Sequence, residues 1–229
     1  MRTHQLVQSW LEEQLAAGRL AVGDRLPGER MVAEQLGISR ASAREGIRVL
    51  EAMGIVRAGV GSGPGAGTVI TANPGAALGA ALRLHMATSH LPIEDIVQTR
   101  LLLETWAAAH ARPAAPAMEN AAALLEAMES SAPDEKEFLR LDALFHVALA
   151  DAAGNVLIGA MMSSLRESIE GYTLRLTRTL PDWAATSARL RAEHRDIHNA
   201  IRNDDGALAA EMVANHIEGF YKEAGFSGS

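Results

Sequence analysis

The chain has 229 residues, a formal net charge of −7 and no cysteine, and close to half of its residues are apolar. That length allows one large or two small domains with a substantial core, and the missing thiols exclude disulfides and thiolate metal sites. No apolar run reaches the length of a membrane span, and the N-terminus lacks the apolar core of a signal peptide, so the expectation is a soluble cytoplasmic protein without membrane partners.

Charge is unevenly spread. Residues 1–70 hold eight arginines against seven acids, a net of +1, so the rest of the chain carries −8. A locally less acidic end on an acidic body suits a small nucleic-acid-binding head.

In chain order, "HQLVQSWLEEQLAA" places Leu6, Trp10 and Leu15 on one helical face, and Gly18 stops that helix. A second helix runs from about Glu29 to Leu36. Gly37 suits a left-handed C-cap and Ser39 an N-cap, so "GIS" is a tight turn. The third helix, from about Arg40 to Met53, has an inward stripe of Ala43, Ile47 and Leu50. Arg40, Arg44 and Arg48 recur every four residues on another face. Two helices joined by a three-residue turn make a helix-turn-helix. "IVRA" and "TVI" then read as two short strands around the glycine-rich "GVGSGPGAG", a wing. That loop lacks the Lys-Ser/Thr of a phosphate-binding P-loop.

Beyond the linker at 71–77 strand signals vanish. Seven amphipathic patterns follow, at about 75–87, 92–111, 115–130, 134–152, 156–179, 182–203 and 206–224, broken by proline, Gly-Asn and "NDDG". The fold class is mainly α: a winged helix-turn-helix at 1–70 and an all-helical bundle at 78–229.

Within "RLDALFHVAL", Asp142 and His146 sit one turn apart on an apolar helix, where an unpaired charge is expensive. "AEHRDIHNAIRNDDGALAAEMVANHIEGF" reads as a helical hairpin. His194 lies nine residues before Asn203 and His216 ten after Gly206. At ~1.5 Å per residue both stand roughly 14 Å from the turn, level with each other. One carboxylate and three neutral imidazoles, Asp142, His146, His194 and His216, suit a divalent ion such as zinc or nickel. Taken singly, each histidine reads more readily as a hydrogen-bonded core residue than as a ligand, and His198 is a competing ligand. Arg100 and Glu104, four apart on "TRLLLETWAA", form either an exposed ion pair or an arginine facing the metal, able to grip a carboxylate.

At this point the motifs carry a resemblance. "GDRLPGERMVAEQLGISRASAREGIRVLEAMGIV" resembles the winged-helix domain of GntR-superfamily transcription regulators. "RLLLE", "LDALFH", "EHRDIHNAI" and "HI" at 216–217 resemble the FCD effector domain of the FadR-like branch. The resemblance implies metal ligation by Asp142, His146, His194 and His216, with His198 not a ligand, and a small organic-acid effector held by Arg100. Asn155, Tyr172 and Arg175 are further effector-contact candidates. It implies operator contacts by Arg30, Arg40, Arg44 and the wing glycines, Gly67 among them; Ser39 and Ser42 complete the DNA-binding set. It also implies a homodimer on an inverted repeat, acting as a repressor released by effector. Two rival readings are a sensor for the metal itself and, less well supported, a metal-dependent hydrolase with Glu104 or Glu193 as general base. Two features depart from the family's pattern. The wing is long and has no basic residue between Arg57 and Thr68, and Gly46 stands inside the recognition helix, where it costs roughly 1 kcal/mol relative to alanine.

Overall fold

A computed structural model describes residues 3–59, 67–71, 74–87, 92–130 and 133–225. The glycine-rich wing tip at 60–66, part of the expected linker at 72–73, and His90 lie outside the described residues. The chain divides into two compact units, Met1–Leu78 and Gly79–Ser229.

The first unit contains α1 (Thr3–Ala16), α2 (Glu29–Leu36), α3 (Arg40–Ala52), β1 (Val56–Gly59) and β2 (Gly67–Ile70). The turn between α2 and α3 is built from two local signals. Gly37 adopts a left-handed backbone, φ 64°, and its N–H returns to the end of α2. Ser39 then caps α3 by accepting the Ser42 N–H. The strands pair antiparallel with Val56 opposite Ile70 and Gly59 opposite Gly67. Val7, Trp10, Leu11, Val32, Ile47, Leu50, Val56 and Ile70 form the core. Each large apolar side chain buried there contributes roughly 1.5–3 kcal/mol.

Gly46 is explained by this packing. A Cβ at that position would come within 2.5 Å of Val7 Cγ2 and 2.7 Å of Val7 Cβ. The helix gives up propensity so that α1 can cross α3 closely.

The remaining helices are α4 (Pro74–Ala87), α5 (Ile93–His110), α6 (Pro116–Ser130), α7 (Glu135–Ala152), α8 (Val156–Leu176), α9 (Trp183–Arg202) and α10 (Gly206–Glu223). Two boundaries differ from expectation. α4 begins at Pro74, inside the stretch expected as linker, because proline's fixed φ suits a first helical position. α8 tightens into a 3-10 turn at Thr177–Thr179, where both threonine hydroxyls donate back to carbonyls of the preceding turn. Asp134, Asn155, Asp182 and Asp205 cap α7, α8, α9 and α10.

α7 is buried around almost its whole circumference and packs against α5, α6 and α8. α10 lies against α5 and α9. The hairpin turn between α9 and α10 is closed by Asp204 at φ 59° and the Asp205 cap. Among the described residues no helix is long and apolar enough to cross a membrane.

Candidate metal centre and nucleic-acid interface

α7 contributes Asp142 and His146 one turn apart, both buried. α9 and α10 contribute His194 and His216, whose ring centroids lie 4.6 Å apart across the hairpin. The four residues offer one ligand atom each within 4.8 Å of one another. Asp142 Oδ1 is 3.0 Å from His194 Nε2, 3.9 Å from His216 Nε2 and 4.0 Å from His146 Nε2. His146 Nε2 and His216 Nε2 are 3.2 Å apart. Atoms ligating one ion at about 2.1 Å stand about 3.0 to 4.2 Å from each other, so these separations fit a common ion.

The polar chemistry also fits. His194 is fully buried, and its Nε2 approaches Asp142 without the alignment of a hydrogen bond. Neither of its ring nitrogens has a hydrogen-bond partner among the described residues. A buried imidazole without a hydrogen-bond partner is accounted for if its Nε2, together with the adjacent Nε2 atoms of His146 and His216, ligates an ion. His146 Nδ1 lies 2.6 Å from Glu104 Oε2, a close ion-pair contact without the alignment of a hydrogen bond. His216 Nδ1 lies 2.8 Å from Glu193 Oε2. His216 thus donates from Nδ1 to a carboxylate, and both rings turn Nε2 inward with Nδ1 facing a glutamate.

Electrostatics keep these groups in ligating form. Burial would raise the Asp142 carboxyl, but contact with His194 and the other imidazoles outweighs it and holds the group well below the usual range. Burial and the neighbouring His216 push His194 down to about 4, so it is neutral at pH 7. Burial likewise lowers His216.

Arg100 and Glu104 are both inward residues of α5, on the stripe Ile96, Arg100, Glu104, Ala107. They form a buried ion pair, Nε to Oε1 at 2.7 Å. Burial opposes ionisation of Glu104, but Arg100 and then His146 hold it at about 2. Arg100 also donates to the Tyr221 hydroxyl at 3.0 Å, and that hydroxyl shares a short hydrogen bond with Tyr172. A small cavity touches Arg100, Asp142, His216 and Tyr221, with Leu139, Leu190 and Phe220 as apolar wall. It has space for about one water.

The N-terminal unit exposes a basic face. Arg40, at the start of α3, and Arg44 and Arg48 are exposed, as is Arg30 on α2. Arg44 Nε is held 3.0 Å from both Glu29 oxygens, Arg30 lies 3.6 Å from Glu34, and Arg48 lies 3.9 Å from Glu45. Exposed pairs of this kind are worth little and yield readily to phosphate. Glu51 accepts the Ala58 N–H at 3.0 Å, tying β1 to the recognition helix. Gly67, at φ 129°, opens β2 with a backbone that other residues rarely adopt.

Two family models match this chain. One is the gntR family of bacterial regulatory proteins, over residues 3–65; the other is the FCD domain, over residues 95–219. The chain belongs to the GntR family and carries an FCD domain. It is a DNA-binding transcription regulator of that type. Its relatives include the HTH-type transcriptional regulator LutR of Bacillus subtilis, 29% identical over 87% of this chain and 91% of the relative. The Glc operon transcriptional activator of Escherichia coli is 25% identical, covering 93% and 85%. The transcriptional repressor NanR of Klebsiella aerogenes is 27% identical, covering 93% and 82%. The solved structure of Streptococcus agalactiae GntR superposes with a TM-score of 0.69 at 24% identity, covering 96% and 99%, and shares the fold.

Within the FCD domain, Asp142, His146, His194, His216, Arg100 and Tyr172 converge. His198 is directed elsewhere, half-buried beside Met118. Asn155 and Arg175 do not reach the centre. Asn155 is exposed, its side chain occupied in capping α8, and Arg175 is exposed and donates to the Gly171 carbonyl. Reading the sequence missed Tyr221, which receives Arg100 and lines the cavity. Glu193, expected only as a possible general base, engages His216 and Arg189, and Glu104, expected as an ion-pair partner of Arg100 or a general base, faces His146 as well as Arg100. In the GntR domain, Ser39 is committed to the α3 cap and also donates to Ser42 at 2.9 Å.

Proposed function

We propose that this chain represses transcription by binding an inverted-repeat operator as a homodimer, and that a small carboxylate bound beside a divalent ion in the FCD domain controls that binding. Asp142, His146, His194 and His216 would hold the ion, zinc or nickel. Bound there, the ion would supply a Lewis-acid position for a carboxylate oxygen. Arg100 is the observation that carries the reading. A guanidinium 4% exposed lines the same cavity as Asp142 and His216. Charge supports an anionic ligand. Arg100 pairs with Glu104 and Arg189 with Glu193, so a dication and Asp142 leave one net positive charge. The cavity's small size means that the acid enters by displacing side chains, and a ligand that prefers the displaced arrangement shifts the regulator's equilibrium.

The same small cavity favours a second reading, in which the ion alone is the signal. Metal content and operator affinity separate the two. Metal-loaded protein is titrated onto a labelled operator selected from random DNA, with and without a panel of small carboxylates. Release by an acid from the loaded protein, absent in Arg100→Ala, supports the first reading. Dependence of affinity on the ion, with no response to any acid, supports the second. Protein that takes up no ion after reloading would sink both.

A further inference from the structure

Each of two ligating histidines is backed by a carboxylate, and each carboxylate is backed by an arginine. Glu104 uses Oε2 toward His146 Nδ1, at 2.6 Å, and Oε1 toward Arg100 Nε, at 2.7 Å. Glu193 uses Oε2 toward His216 Nδ1, at 2.8 Å, and Oε1 toward Arg189, at 2.6 Å. In both cases the glutamate and its histidine come from different helices: α5 to α7, and α9 to α10. His194 has no such support; its Nδ1 is buried without a hydrogen-bond partner among the described residues.

An imidazole that ligates through Nε2 must carry its proton on Nδ1, and a buried N–H needs an acceptor. A carboxylate acceptor fixes the ring's rotation and tautomer and makes Nε2 a better donor. An arginine on the far oxygen keeps the carboxylate in place and cancels its charge. We infer that Glu104 and Glu193 are positioning residues for the metal, each holding one histidine with Nε2 turned to the centre through a His–Glu–Arg relay. One relay opens into the effector cavity, because Arg100 lines it. The other ends toward the surface of the α9–α10 hairpin, where Arg189 also bonds Glu223 at 2.6 Å and Glu223 accepts the Thr186 hydroxyl. Occupation of the centre is thereby tied both to the anion site and to the clasp of the last two helices.

The inference rests on the reading of the four residues as a metal site. The test uses full-length protein and zinc chloride alone, with affinity read by competition against a chromophoric chelator. Nitrogen-15 imidazole spectra of the zinc-free protein report the histidine tautomers. The variants are Glu104→Gln and Glu193→Gln, with Glu126→Gln as an exposed control. The expected result is a loss of zinc affinity of about 10- to 100-fold in each variant but not in the control. The tautomer signals of His146 or His216, respectively, should lose the pure Nδ1–H form expected of wild type. Should Glu104→Gln not fold, Glu193→Gln decides alone, because that side chain is partly exposed. Wild-type zinc binding with unchanged affinity and unchanged tautomers in the variants would overturn the relays and leave the metal site standing. Wild-type protein that binds no zinc would overturn the site and the relays together.

Discussion

Arg100 and Glu104 stand one helical turn apart, 2.7 Å from each other, with 4% and 3% of their side chains exposed. A buried pair of this kind adds little net stability, but removing one partner strands the other's charge away from water. Arg100→Ala is therefore expected to destabilise the FCD domain by about 3–5 kcal/mol. Arg100→Ala combined with Glu104→Ala should lose less than the sum of the two single changes, the mark of direct coupling. Chemical denaturation of the four-member cycle measures this. Additive losses would show that the pair is not coupled.

Gly46 and Val7 support a second expectation. Alanine normally gains about 1 kcal/mol over glycine inside a helix. Here its methyl carbon would sit 2.5 Å from a buried valine branch that has nowhere to turn. Overpacking costs about 1–3 kcal/mol, so Gly46→Ala should destabilise the GntR domain despite its better propensity. Gly46→Ala with Val7→Ala should recover part of the loss. A stabilised single variant in thermal unfolding would contradict the close crossing of α1 and α3.

The metal-free protein should weaken in mild acid. Burial and His216 hold His194 at about 4 in the fold, against 6.5 for an ordinary histidine. Between those values only the unfolded chain takes up the proton. Stability is therefore full above about 6.5 and declines as pH falls to about 4. Glu104, held at about 2 against an ordinary 4.5 by Arg100 and His146 despite its burial, acts in the same direction. It extends the decline from about 4.5 down to about 2. Urea midpoints of chelator-treated protein across that range test the sign, and His194→Gln should flatten the upper part of the curve. Midpoints that rise on acidification would mean that these groups are not held as the structure shows.

Much of this was legible in the sequence where the signal is local or periodic. Asp142 and His146 share a face by spacing alone, and the count from "NDDG" made His194 and His216 level. Arg100 and Glu104 could be placed on an apolar helix, though spacing could not say which way they faced. Glu193 could not be placed. It precedes His194 in the chain, yet it serves His216 on the next helix, and no pattern within one helix reveals a partner on another. Tyr221 was hidden for the same reason. Asn155 carried a local signal that was passed over: an asparagine after glycine and before an apolar run is first a helix cap, and its side chain caps α8. Gly46 looked like a defect because its justification, Val7, lies 39 positions away on another helix.

Arg44 is held by Glu29 through Nε alone, so those two bonds leave its terminal nitrogens uncommitted. Bidentate reading of a guanine uses such a pair of nitrogens, whereas a phosphate contact needs only charge. Arg44→Ala is accordingly expected to weaken binding to a selected operator by about 5- to 150-fold while changing affinity for scrambled DNA far less. Arg30→Ala, if Arg30 meets phosphate, should weaken both DNAs together and reduce the salt slope by about one. Fluorescence anisotropy on operator and scrambled duplexes at several salt concentrations distinguishes these. Equal losses on both DNAs for Arg44→Ala would place that arginine on the backbone and move sequence reading to other positions on α3.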